Sequence, residues 1–273
     1  QGQTIPTQGQ TITTQGQTID SLAHIVDSLS NLSHGGGDTP TEGDGGQPCP
    51  GTPTVTDAQG NSYNTIKIGN QCWTKENLRT TKYANGTNID DTKMFNPANN
   101  ADNVAKYGRL YTWSAATRDS STTYPATGQV KVQGICPTGW HVPSDAEWTQ
   151  LTNYVKSVDS FKCNGEIANA LSTATGWSES SECCPGHFSA TLNATGFAAV
   201  PAGDLYDGSI KDFGERAMFW SATNHEGDYY AESHNLLKDY NSVIRDHFPK
   251  RFGFSIRCLR DEPVDEDGLG ELR

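Results

Sequence analysis

Seven cysteines are the most reactive side chains in this sequence: Cys49, Cys72, Cys136, Cys163, Cys183, Cys184 and Cys258. Thiolates either grip a soft metal or pair as disulfides. No two cysteines stand at C-x-x-C spacing, and the adjacent Cys183 and Cys184 are badly placed as two arms of a tetrahedral zinc site. Disulfides are therefore expected, with no metal and no cofactor. Disulfides in turn imply an oxidising location, outside the cytoplasm.

Other chemical signals are weaker. "HGGG" at His34–Gly37 has the letters of a lipase oxyanion loop but no G-x-S-x-G elbow, and it sits in a Gly-rich spacer. His141 has no Ser or Cys nucleophile beside it and reads as a core or turn histidine rather than a general base. "DEDG" from Asp265 lacks the spaced acids and the final Glu of a calcium loop. The chain is thus expected not to be an enzyme.

The most distinctive polar stretch runs between two apolar segments, Phe219–Trp220 and Phe252–Cys258. Between them lie Asn, Asp, His, Tyr, Ser and Arg, side chains that recognition loops use because they offer hydrogen bonds and, for Tyr, contact area at small entropic cost. The residues expected to face a ligand are Asn224, His225, Asp228, Tyr229, Tyr230, His234, Asn235, Lys238, Asp239, Tyr240, Ser242, Arg245 and His247, with Leu236 and Val243 as buried supports. An ordinary exposed hairpin and loop would carry the same letters.

Such a stretch needs elements to hold it. "TVTDAQGNSYNTIKIGNQCW" places Val55 before a turn at Asp57–Asn61, then Tyr63, Ile66 and Ile68 before a second turn at Gly69–Asn70, which predicts two short antiparallel strands. In "PSDAEWTQLTNYVKSV", Ser144 at the N-cap and Glu147 three residues on form a capping box, and Trp148, Leu151, Val155 and Val158 line one face of a helix. "NGEIANALSTATGW" predicts a second, shorter helix ending near Gly176, while "ATGFAAVPAG" and "FGFSIRCLR" read as strands. Two helices among short strands predict an α+β domain over residues 55–260.

Upstream, "GQTIPTQ", "GQTITTQ", "GQTIDSL" and "AHIVDSL" repeat every seven residues, with Ile5, Ile12, Ile19 and Val26 at one seam position and Gln8, Gln15, Leu22 and Leu29 at the other. This is an a/d pattern, and residues 1–34 are expected to form a parallel coiled-coil neck that makes the chain a dimer or trimer. A single short amphipathic helix on a disordered leader is the alternative. Residues 35–54 read as a Gly/Pro/acidic linker and residues 261–273 as an acidic tail.

Composition excludes other classes. With 20 basic and 32 acidic residues the net charge is −12, which argues against binding a phosphate backbone. No run approaches the ~18 consecutive apolar residues of a membrane span. The sequence begins at Gln1 rather than Met, as expected where a targeting segment or a longer stalk has been removed.

The blocks "GNQCWTKENLRTTKYANGT", "GRLYTWSAA", "GICPTGWHVPSDAEWTQL", "ATGFAAVPAG", "FWSAT" and "GFSIRCLRD", in this order, resemble the Fibrobacter succinogenes major paralogous domain family. The resemblance implies an exported or surface protein of gut-type bacteria whose fold is similar to C-type lectin-like and formylglycine-generating-enzyme-like domains. It implies bridges between Cys136 and Cys258, between Cys49 and Cys72, and between Cys163 and either Cys183 or Cys184, leaving one thiol over. The tripeptides of calcium-dependent lectins, Glu-Pro-Asn or Gln-Pro-Asp, are absent. Lectin-like proteins diversified by retroelements carry their variable sites in the terminal segment, and the polar stretch resembles that arrangement.

The expected function is a surface-displayed adhesion or recognition module, binding a protein or glycan through residues 224–250 on an oligomeric stalk. A structural surface-assembly protein is the alternative, and an oxidase of the formylglycine-generating type the least favoured.

Overall fold

A computed structural model describes residues 46–119 and 131–261. The neck at 1–34, the "HGGG" and "DEDG" motifs and the tail from 262 onward lie outside these residues. The domain is mixed α+β, with mainly antiparallel strands and few helices, in keeping with the class expected from sequence.

Its first sheet, in the order β1-β2-β3-β13-β6, comprises β1 (Thr54–Thr56), β2 (Ser62–Ile68), β3 (Gln71–Thr74), β13 (Leu259–Arg260) and β6 (Trp140–His141). Asp57 closes the first hairpin by accepting hydrogen bonds from the backbone of Gln59 and Asn61, both at 2.9 Å, and from the Tyr63 hydroxyl at 2.7 Å. The second hairpin turns at Gly69, whose φ of +58° and contact with the Tyr154 ring leave no room for a Cβ. The domain begins before 55: Cys49 is buried, and the carbonyls of Gln47 and Pro53 accept from Lys67 and Thr65 of β2. The end of the predicted linker is thus part of the first sheet. Asp261, assigned to the tail, also belongs to the domain, because its backbone donates to the Gly139 carbonyl at 2.9 Å.

A second sheet, β4-β5-β12-β7-β8, comprises β4 (Met94–Phe95), β5 (Leu110–Thr112), β12 (Gly253–Phe254), β7 (Asp204–Tyr206) and β8 (Ser209–Lys211). Two one-turn helices adjoin it, α1 (Val104–Tyr107) and α2 (Trp113–Thr117). The third sheet, β11-β10-β9, is formed by β9 (Arg216–Asn224), β10 (Tyr230–Leu237) and β11 (Ile244–Pro249). Helix α3 (Asp145–Ser157) packs on it. The capping box at its start is formed as expected, with Ser144 accepting from the Glu147 backbone and Glu147 accepting from the Ser144 backbone.

Three segments depart from expectation. The second helix, α4, is a single turn, Ala168–Leu171. Its Asn169 is buried and donates to the carbonyls of Cys184 (2.8 Å) and His187 (2.9 Å), and Ser172 and Thr173 then run extended against Ala199. "ATGFAAVPAG" is not a strand. Ala198 is left-handed (φ 56°), and the carbonyls of Phe197 and Ala198 turn inward to the fully buried guanidinium of Arg257 at 2.7 and 2.9 Å. "FGFSIRCLR" divides into β12 and β13, which serve two different sheets.

The disulfides pair Cys49 with Cys72, Cys136 with Cys258 and Cys163 with Cys183, and Cys184 is a free, buried thiol. The Cys136–Cys258 bridge closes a loop of 122 residues. Loop-closure entropy alone makes such a link worth about 5 kcal/mol.

Candidate functional site

Residues 224–250 do not form a displayed loop. They supply the central and edge strands of the β9–β11 sheet, and alternation sends β10 side chains to opposite faces. Ala231 joins Met218, Trp220, Ala222 and Phe248 in one core, whereas Leu236 joins Ala217, Phe219, Trp148 and Leu151 in another. Both faces are therefore covered over residues 231–236, all of which are buried.

Two of the expected ligand-facing residues are corrected by this placement. His234 is 3% exposed: its ring lies parallel to Trp148 at 5.3 Å, and its Nε2 pairs with Asp145 at 3.0 Å. Asn235 is 2% exposed and donates to Ser233 Oγ at 3.0 Å. His234 thus spends its ring inside the protein, whereas the side-chain oxygen of Asn235 is buried without a hydrogen-bond partner among the described residues. Leu236 is a buried support as expected, and Val243 is partly buried against the same core.

The remaining residues fall into two groups at opposite ends of β10, about 20 Å apart at the usual rise of ~3.3 Å per residue. At the far end, Lys238 pairs with Glu215 at 3.6 Å, and it lines a cavity of about 100 Å³ with Asp239 and the exposed Tyr240; Ser242 is half-buried nearby in the sequence. At the near end lie Asn224, His225, Asp228, Tyr229, Tyr230 and, from β11, His247. Arg245 stands between the two, on the edge strand.

The near end forms a continuous aromatic ribbon. His225 and His247 stack at 3.8 Å with planes 4° apart, and Tyr230 meets His247 edge-on at 5.5 Å. Tyr229 meets Tyr230 edge-on at 4.8 Å, and the Arg251 guanidinium lies over the rings of Tyr229 (5.6 Å) and Phe252 (5.1 Å). Phe252 packs on Tyr206 at 4.6 Å, and Arg251 reaches Asp207 at 3.1 Å. Tyr229, Tyr206 and Tyr230 remain 55%, 40% and 37% exposed. Asp228 is exposed in the turn, whereas Asn224 is half-buried with its side-chain Oδ1 enclosed and unpartnered among the described residues.

Beneath the ribbon lies an ionic chain. Glu232, 3% exposed, accepts from His225 Nδ1 at 2.8 Å and lies 3.4 Å from Arg245 Nη2, while Arg245 Nε reaches Asp145 at 2.6 Å. A register shift opposite Glu232 brings these groups together. At that point Ala222 and Thr223 leave the ladder to bond Pro143 and Asp145, fixing the start of α3 over the sheet. Burial pushes the Asp145 carboxyl up, but the hydrogen bonds and charges of His234 and Arg245 outweigh it and hold the group below its ordinary value.

Reading the sequence located Tyr229, Tyr230, His225 and His247 but missed Tyr206, Asp207, Arg251, Glu232 and Asp145. Tyr206 and Asp207 come from a β-turn far away in the chain. Arg251 was within reach, one residue beyond the stretch.

His141 is enclosed, as its core reading expected. Its Nδ1 meets Asp261 at 2.6 Å and its Nε2 meets Glu147 at 2.9 Å, so neither nitrogen is left to take a substrate proton. Among the described residues no group of three or more His, Cys, Asp or Glu could hold a metal ion, and no helix is long and apolar enough to cross a membrane.

Comparison with curated proteins and with solved structures found no match. The family model described as the Fibrobacter succinogenes major domain matches residues 66–260, most of the chain and every strand of the three sheets except β1, β2 beginning just ahead of it. The chain belongs to that family.

Proposed function

We propose that this domain is a ligand-binding module with a C-type lectin-like fold, displayed outside the cell on an oligomeric neck, and that it holds a protein or glycan through the ribbon of Tyr206, Tyr229, Tyr230, His225, His247 and Arg251. The observation that carries this reading is a row of exposed rings gathered at one end of the β10–β11 pair, whose inner residues are fixed in two cores. Rings held in this way lose little entropy when they bind. The proposed neck, from residues 1–34, would multiply weak contacts by avidity. Three disulfides support an oxidising location, and the binding role needs no catalytic group.

Capture by the full chain on arrays of glycans and surface proteins tests this. Tyr229→Ala with Tyr230→Ala is expected to abolish signals that wild type gives, with a small change in melting temperature, while Tyr240→Ala at the far end retains them. Equal retention by the double variant overturns the assignment of the ribbon.

A further inference from the structure

A second concavity, sharing no residue with the ribbon, lies at the edge of the β4–β8 sheet. It is an open depression of about 330 Å³ lined by Arg109, Asn96, Asn99, Asp91, Thr81 and Phe95, among others, with Asp91 and Asn99 exposed. That volume is at the lower end of the range for small-molecule sites.

Its polar groups are left largely uncommitted. Arg109 is half-buried, its Nε donates to the Arg79 carbonyl at 3.3 Å and its Nη1 to Asn96 Oδ1, and no carboxylate lies within ion-pairing distance among the described residues. Its Nη2 has no hydrogen-bond partner among those residues. Neither do the side chains of Asn99, Asp91 and Thr81. Ala98 and Asn99 are consecutive left-handed residues, at φ 53° and 55°, a conformation that Asn tolerates and Ala seldom adopts. The conformational cost therefore falls on Ala98, and the turn it makes sets Asn99 at the wall.

The occupant follows from this inventory. A bare cation is opposed by Arg109. An anion would meet the Asp91 carboxylate at the wall and the net charge of −12 around it. A purely apolar molecule would strand the donors and acceptors. A neutral polyol satisfies all of them, because each hydroxyl both donates and accepts. We propose that this cavity is a second ligand site, one that binds a saccharide residue through neighbouring hydroxyls: one accepts from Arg109, another donates to Asp91, and Phe95 supplies apolar contact.

The test uses the full chain, isotope-labelled, titrated with methyl glycosides of glucose, galactose, mannose and N-acetylglucosamine, and separately with sodium acetate. At least one glycoside is expected to shift the Arg109 Nε signal and the Asn99 side-chain amide saturably. Arg109→Gln should weaken that binding by about tenfold or more, the loss expected for a charged hydrogen-bond donor. Asp91→Ala changes an exposed side chain without hydrogen bonds, so it leaves the fold intact and should weaken binding similarly. Tyr229→Ala with Tyr230→Ala should leave it unchanged, which separates this site from the ribbon. The proposal is overturned if no glycoside shifts these signals, if acetate binds there more tightly, or if Asp91→Ala binds as wild type does.

Discussion

At the scale of single residues, burial and a nearby carboxylate push two groups, Asp204 and Cys184, toward their neutral forms. Asp204 is fully buried, both its oxygens lack a hydrogen-bond donor among the described residues, and burial together with Asp212 pushes its pKa up to about 6 despite Arg216 at 3.7 Å. The folded state therefore binds a proton that the unfolded chain releases near pH 4, and this carboxylate costs stability progressively from there to above pH 6. The full cost is ~3 kcal/mol at neutral pH. Asp204→Asn should accordingly stabilise the domain in urea at pH 8 and lose that advantage near pH 4; an advantage independent of pH would contradict this. Cys184 is the leftover thiol that the sequence left undecided, since two adjacent letters cannot say which one faces Cys163. Burial, and then the nearby Asp239, push its pKa up. The native protein should resist iodoacetamide at neutral pH and take up one equivalent once unfolded. Labelling without denaturant would show that the thiol is accessible.

At the scale of elements, legibility followed locality. The capping box of α3 and the hairpin of β2 and β3 depend on side chains a few residues apart, and both were readable. Strand β10 was not, because its polar letters find partners on α3 and β11: His234 and Arg245 both bond Asp145, roughly a hundred residues earlier in the chain. A strand whose polar residues are satisfied inside looks the same in sequence as one whose polar residues face water. The segment around Phe197 failed for the same reason, since its carbonyls serve Arg257 rather than a ladder. Asp145→Asn should cost about 2–3 kcal/mol at pH 7 by leaving His234 without its anion and taking one carboxylate from Arg245, which keeps Glu232. The folded pKa of Asp145 is lowered, so its contribution is present above the unfolded value and is lost as pH falls through the folded one. Urea unfolding of both proteins at pH 7 and pH 3 checks this: the gap should narrow in acid.

At the scale of the whole molecule, the cysteine pairings implied by the resemblance agree with the pairs formed, and the covalent frame ties the last strand to its centre. Replacing Cys136 and Cys258 together by Ala should lower stability by about 2–5 kcal/mol, read from thermal or urea unfolding. The site was legible only in part. Tyrosines and histidines near the β9–β10 turn could be picked out, but their division into two ends of one strand, and the contributions of Tyr206 and Arg251, arise from sheet order that no local pattern encodes. The most direct test of the account is oxidative footprinting of tyrosines with and without a ligand captured on the arrays. Protection is expected at Tyr206, Tyr229 and Tyr230 with Tyr240 unchanged. Protection confined to Tyr240, or none at the three ribbon tyrosines, would contradict the claim that this ribbon is the binding face.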